Sequence, residues 1–268
     1  MASDVPAVDA AVRILERLAS AAPAPVGAGQ LVKELQLNRS TCYNILTTLQ
    51  RAGWVTSLGE RAGWTVGPRL LSLTGDAAGL VAAATQQELD RLSARLRLVA
   101  FVAEMDGSAG YTVTAKAELQ TGVRVTVGIG DRFPFSAPAL LHALGAWLPP
   151  ESFDRLVEHH GLKAFTEHTV VDRDQLHEVL ERVRNDGYSR SIRQFDLSQA
   201  AVAAPVFDSR GRPYRAVCSL GFSSELNERN VEEVGQAVRA CADAITLRTG
   251  GVLPAAATTA ASPPGSVA

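Results

Sequence analysis

Cysteine is scarce: 268 residues hold three, Cys42, Cys218 and Cys241, far apart and set among apolar neighbours. An odd, scattered set supports neither a disulfide framework nor a thiolate metal site, and reduced, packed thiols of a cytoplasmic protein are expected. No apolar run approaches the ~18 residues of a membrane span, and no basic stretch followed by an apolar run opens the chain. Neither a membrane segment nor a secretory leader is therefore expected. Catalytic signatures are also missing. There is no Gly-x-Ser-x-Gly and no Walker loop, and Gly128-Ile129-Gly130 lacks the third glycine and following helix of a dinucleotide site. Ser136 and His142 stand six apart, which puts them on different faces of a helix. Four of the five histidines, His159, His160, His168 and His177, share a 19-residue window, but their spacing fits no ligand motif. No metal, cofactor or catalysis is expected. An enzyme or metabolite-binding protein built on the C-terminal half is the alternative class.

Net charge is also small, at −2, with 46% hydrophobic and 20% charged residues, as in ordinary soluble proteins. Its distribution is uneven. Residues 1–70 carry seven Lys or Arg against five Asp or Glu, a balance of +2 that leaves −4 for the rest. That sign suits a nucleic-acid-binding head.

The stretch Asn38–Arg51, NRSTCYNILTTLQR, places Cys42, Ile45, Leu46 and Leu49 along one helical stripe. The opposite side carries Ser40, Asn44, Thr47 and Arg51, flanked by Thr41 and Tyr43. These groups donate and accept hydrogen bonds with little charge, which suits base edges in a DNA groove. A short helix over Gln30–Leu37 and the Asn38-Arg39 connection precede it, giving a helix-turn-helix with the second helix as reader. Another helix is expected over residues 5–20, with Val8, Ala11, Val12, Leu15 and Leu18 facing inward. Residues 54–57 and 63–66 flank Leu58-Gly59-Glu60-Arg61 as a hairpin, so a wing follows the reader, with Arg61 near its tip. Tyr43, Asn44 and Thr47 are expected at bases or groove; Arg39, Ser40, Thr41, Arg51 and Arg61 are expected at phosphates.

Beyond the wing, residues 69–97 read as a shorter and a longer helix. Strands are expected over 98–103, 111–117, 123–129, 200–206 and 215–221, and helices over 137–148, 152–160, 172–187 and 230–246. Asp172 and Gln175 form a capping pattern, and Gly187 a terminator. The sum is an α+β chain: a head at 5–68, linker helices at 69–97, an antiparallel sheet with helices at 98–248, and an uncharged Ala/Thr/Pro/Ser tail at 249–268 expected to be disordered.

The runs AVDAAVRILERLA, NRSTCYNILTTLQRAGWV, WTVGPRLLSL, TVVDRDQLHEVLERVRNDGY and AVAAPVFDSRGRP, in this order and spacing, resemble the IclR family of bacterial transcriptional regulators over residues 7–247. The resemblance implies a winged helix-turn-helix joined by a linker helix to a GAF-like, effector-binding domain. It also implies a homodimer or homotetramer on a palindromic double-stranded operator near metabolic genes, acting as a repressor answered by a small carboxylate or aromatic acid. Departures fall in the implied pocket. Ser136 stands where a His is usual, Leu141-His142 where Gly-Lys or Gly-Arg is, and Gln194 where a Glu is. Ala201, Cys218 and Leu220 occupy positions that carry small polar groups in some members. Together with Ala137, Leu140 and Ala203, these residues form an implied effector site more apolar than usual, fit for a more apolar metabolite as well as an acid.

Overall fold

The structure, a computed structural model, describes residues 5–59, 62–73, 77–106, 110–119 and 124–254. The chain divides after Leu80 into two compact units.

In the first unit, α1 (Pro6–Ala21), α2 (Ala28–Leu35) and α3 (Arg39–Arg51) enclose a core of Ile14, Leu18, Leu31, Cys42 and Leu46, all fully buried. Helix α2 stops because Gln36 turns left-handed, at φ 53°. Two residues later Asn38 caps α3, its side-chain oxygen accepting the Ser40 N–H at 3.1 Å. Strands β1 (Val55–Ser57) and β2 (Trp64–Val66) pair antiparallel, Val55 opposite Val66. Trp64 also exchanges backbone bonds of 2.8 and 2.9 Å with Val26, and Gly63 makes that approach possible. It sits at φ +92°, and a Cβ there would lie 2.8 Å from the Val26 carbonyl oxygen. Arg61 and Glu60 lie outside the described residues. The stripe expected on α1 is rotated: Ala10, Ile14 and Leu18 are buried, while Val8 and Val12 face outward. Two apolar stripes coexist on α1, and the valines sit on the wrong one for this core. Helix α4 (Pro68–Leu73) follows, and α5 (Ala77–Leu96) runs from this unit into the next.

The second unit is one six-stranded antiparallel sheet, ordered β5-β4-β3-β8-β7-β6. Its strands are β3 (Val99–Asp106), β4 (Gly110–Ala117), β5 (Arg132–Pro134), β6 (Ser189–Ile192), β7 (Gln199–Phe207) and β8 (Pro213–Phe222). Because side chains alternate, Ala100, Val102, Val202, Ala204 and Val217 face α9 (Val231–Arg248) and the Leu89–Leu92 stretch of α5. The other face, with Phe101, Ala103, Ala203, Ala216 and Cys218, packs under α6 (Pro138–Gly145). Helices α7 (Pro150–His160) and α8 (Arg173–Asp186) form a further core with Phe135 and Leu141. Helix α8 starts at Asp172, which accepts the Gln175 N–H at 3.0 Å, and ends at Gly187, left-handed at φ 79°.

Three expectations are corrected. No strand forms over the described part of 123–129; on the side of β4 away from β3 the partner is β5, with Tyr111 opposite Phe133. Residues 128–131 fold into a turn instead, the Gly128 N–H donating to Asp131 Oδ2 at 2.6 Å. Val125 and Val127 still face the core while Arg124 and Thr126 reach Glu118, so their alternation reflects one-sided burial without a ladder. The Thr126 hydroxyl foremost, then Lys116 and Arg124, hold the Glu118 carboxyl down at about 2. The second correction adds β6, which the expected strands did not include and which has no apolar run: its buried residues are Ser189 and Ser191, and Ser189 Oγ donates to the Ala139 carbonyl at 2.7 Å. Third, the tail does not leave the fold at residue 249. The Gly251 N–H donates to Thr246 O at 2.7 Å and the Val252 N–H to Asp208 O at 3.0 Å; residues 255–268 lie outside the described part.

Candidate functional site

The outer side of α3 is a solvent-facing row. Arg39, Ser40, Thr41, Tyr43, Asn44, Thr47 and Arg51 are all exposed. Thr41, Asn44 and Thr47 use none of their side-chain polar groups within the described residues, and Arg39 and Arg51 have no carboxylate partner there. The Arg39 guanidinium lies 5.9 Å from the centre of the Tyr43 ring, which stiffens the start of the row. Ser40 differs from its neighbours. Its hydroxyl donates to Asn38 Oδ1 at 2.9 Å, so its proton serves the cap and only its lone pairs face outward. Beneath, burial raises the Cys42 thiol pKa and keeps that group neutral in the core.

On the second unit, a small cavity opens between the sheet and the first turn of α6, with a volume of about 40 Å³. Of the residues implied as effector contacts, Ala137, Leu140, Ala201, Cys218 and Leu220 line it. Ser136 and Ala203 are buried but do not line it, and Leu141 faces the α7–α8 core. Gln194 lines a separate groove of about 260 Å³ between α8 and β6, with its Oε1 buried and without a partner among the described residues. Sequence reasoning missed the aromatic wall: Phe101 and Phe133 stack at 5.7 Å, and Phe195 meets Phe133 edge-on at 6.0 Å. The sequence offered little signal, since the three phenylalanines come from β3, β5 and a loop. Among the described residues, the polar side chains of the lining are Ser191 and Gln199, and no charged side chain lines it. Burial pushes the Cys218 thiol up, so it acts as an apolar surface and not a nucleophile. A carboxylate entering this wall meets no cation among the described residues.

His142, on α6, is buried, with Nδ1 lacking a partner among the described residues. Burial, and then the Arg182 charge, lower its pKa from 6.5 to about 4. The unfolded chain therefore binds a proton between pH 6.5 and 4 that the folded chain refuses. Stability is full above pH 6.5 and falls as pH drops through that window, by roughly 2–3 kcal/mol. Urea melts at pH 7 and 4.5 should show this loss in the native protein and much less of it in His142→Leu. Equal losses in both would remove His142 from the account.

A winged helix-turn-helix whose third helix keeps its polar side free is the architecture of a DNA-binding transcriptional regulator. The comparison with known families agrees and is more specific. The IclR helix-turn-helix domain matches residues 7–59, and the bacterial transcriptional regulator IclR C-terminal domain matches residues 78–247. The chain belongs to the IclR family of transcriptional regulators. It is 27% identical to the transcriptional repressor IclR of Escherichia coli over 83% of this chain and 82% of that protein. The glycerol operon regulatory protein of Streptomyces coelicolor is also 27% identical, over 93% and 98%. A crystal structure of an IclR transcriptional regulator from Alicyclobacillus acidocaldarius covers 92% of this chain and 100% of its own, with a TM-score of 0.60 and 26% identity. Among the described residues, no helix is long and apolar enough to cross a membrane.

Proposed function

We propose that the protein is a cytoplasmic, ligand-responsive repressor of a metabolic operon, binding a palindromic operator as a dimer or dimer of dimers. The observation that carries this reading is the α3 row: uncharged hydrogen-bonding side chains, with neither terminal arginine held by a carboxylate among the described residues. Relatives named as a transcriptional repressor, an acetate operon repressor and a glycerol operon regulatory protein support the metabolic part. In this reading Tyr43, Asn44 and Thr47 contact bases or groove, while Arg39, Ser40, Thr41, Arg51 and Arg61 contact phosphates. Residues 5–68 form the DNA head, 69–97 the linker and 98–248 a sensor without catalysis. Outward-facing Val5 just before α1, Val8 and Val12 on α1, and Leu80 on α5 supply apolar surface for a second copy.

The effector site is the cavity under α6. At about 40 Å³ it has room for no more than a few water-sized groups, far below the ~300 Å³ of a typical ligand pocket. An effector must therefore open it, and Phe195, on the loop between β6 and β7, is the ring placed to swing. Opening couples to DNA only through a difference in effector affinity between two arrangements, and operator DNA must then change effector affinity by the same factor.

The two kinds of contact on α3 separate by titration against salt. Arg51→Ala should weaken operator and scrambled DNA alike and lower the salt slope by about one unit. Asn44→Ala should cost ~1–3 kcal/mol on operator and almost nothing on scrambled DNA. Equal losses from Asn44→Ala on both DNAs would end its assignment to a base. Absence of any sequence-specific shift with DNA from upstream of its own gene would end the regulator reading.

A further inference from the structure

Elsewhere in the second unit, a groove of about 330 Å³ shares no residue with the apolar cavity. It lies among the end of α8, β7, α9 and the returning Leu253-Pro254. Two half-buried arginines serve it. Arg184 holds the Ala146 carbonyl through Nε, leaving its two terminal amino groups without a partner among the described residues and with no carboxylate in reach there. Arg239 donates from Nη1 to Asp186 O at 3.1 Å, and its Nε stands 3.7 Å from Asp243 Oδ2, too far for a hydrogen bond. Its side chain passes where a Cβ on residue 187 would lie 2.6 Å from Nε, so Gly187 is needed for its course as well as for the left-handed turn.

The acids nearby do not neutralise this pair. The Asp186 carboxylate is committed to Arg190 at 2.6 Å. Asp243 is half-buried, and its burial raises its pKa against the pull of Arg239. The carbonyl end of α8 adds a partial charge of about −0.5, but Arg239 already covers its Asp186 carbonyl. The two guanidinium groups thus have one partly desolvated carboxylate between their two charges, Asp243, and it stands beside Arg239 only. Beside them stands an apolar wall: Trp147 and Phe207 meet edge-to-face at 5.1 Å and 85°, continued by Pro205, Leu253 and Pro254.

We propose that this groove is a second ligand site, taking an organic monoanion whose carboxylate sits on a flat apolar body. The planar fork of Arg184 matches a carboxylate with two parallel hydrogen bonds, Arg239 adds charge, and the Trp147–Phe207 wall takes the body. The cavity under α6 has the wall without the cations, so the two sites sort ligands by charge.

The test is calorimetric titration of the full chain with sodium benzoate, and with benzamide as its neutral isostere at matched ionic strength. Saturable benzoate binding is expected, at least about tenfold weaker for benzamide and in Arg184→Gln, with partial recovery in Arg184→Lys. Ala201→Phe fills the other cavity and should leave benzoate binding intact. The proposal is overturned by no saturable benzoate binding, by equal binding of benzamide, or by loss in Ala201→Phe with retention in Arg184→Gln.

Discussion

Leu46→Asp is expected to abolish DNA binding while leaving the second unit folded. Leu46 is fully buried on the inner side of α3, in the core it shares with Ile14, Leu18, Leu31 and Val55. An aspartate there loses the packing of a leucine, about 2–5 kcal/mol, and must either bury a charge with no partner or protonate at further cost. That sum is comparable to the whole stability of a domain this size, about 5–15 kcal/mol. The second unit has its own cores, one under α9 and others around α6, made among the described residues from positions beyond Leu80. Calorimetry should therefore lose one transition and keep the other. Thr47→Asp is the companion experiment, one position along on the exposed side. It should keep both transitions and still lose DNA binding, because a carboxylate meets phosphates. A Leu46→Asp protein that bound operator normally would show that α3 is not the reader.

Gly235→Val should produce the converse failure. Gly235 lies on the buried side of α9, and a Cβ built there overlaps the ring of Tyr188. Tyr188 is buried and ends the connection from α8 into β6, so neither partner can retreat without opening the core. Overpacking of this kind costs ~1–3 kcal/mol when neighbours can shift, and more here because a rigid ring meets a helix backbone. The melt of the second unit should fall sharply and that of the first should not. Tyr188→Ala combined with Gly235→Val should be less harmful than the two separate losses added together, since the pair shares one space. Simple additivity would mean that the valine acts elsewhere, for example through helix propensity.

The parts of the molecule visible in its sequence are those in which one periodicity had one cause. In α3 the stripe Cys42, Ile45, Leu46, Leu49 had a single core to face, and Asn38 announced its start. In α8 the Asp172 cap and Gly187 terminator bracketed Leu176, Leu180 and Val183. Where two causes gave the same pattern, reading failed. Helix α1 carries two apolar stripes, and nothing local says which one this core uses. Val125 and Val127 alternate like a strand because one side is buried, although no ladder forms. Strand β6 is recruited by its neighbours: Ser189 is held by the Ala139 carbonyl and by pairing with Ala203, both remote in sequence. The cavity was half legible. The period of two put Ala201, Cys218 and Leu220 on one side of the sheet, but Phe101, Phe133 and Phe195 converge only through the order of strands. The Arg184–Arg239 pair, 55 positions apart on different helices, left no local trace.

Beside its aromatic wall, the space under α6 meets several methyl-sized side chains: Ala137, Ala139 and Ala201 line it, and Ala143, Ala203 and Ala216 share its core. Each can gain a methyl or a hydroxyl by a single replacement on a backbone already fixed by helix or ladder. A lineage with this scaffold can therefore reshape what fits beneath the helix in small steps, leaving its DNA-reading surface, on another unit, untouched.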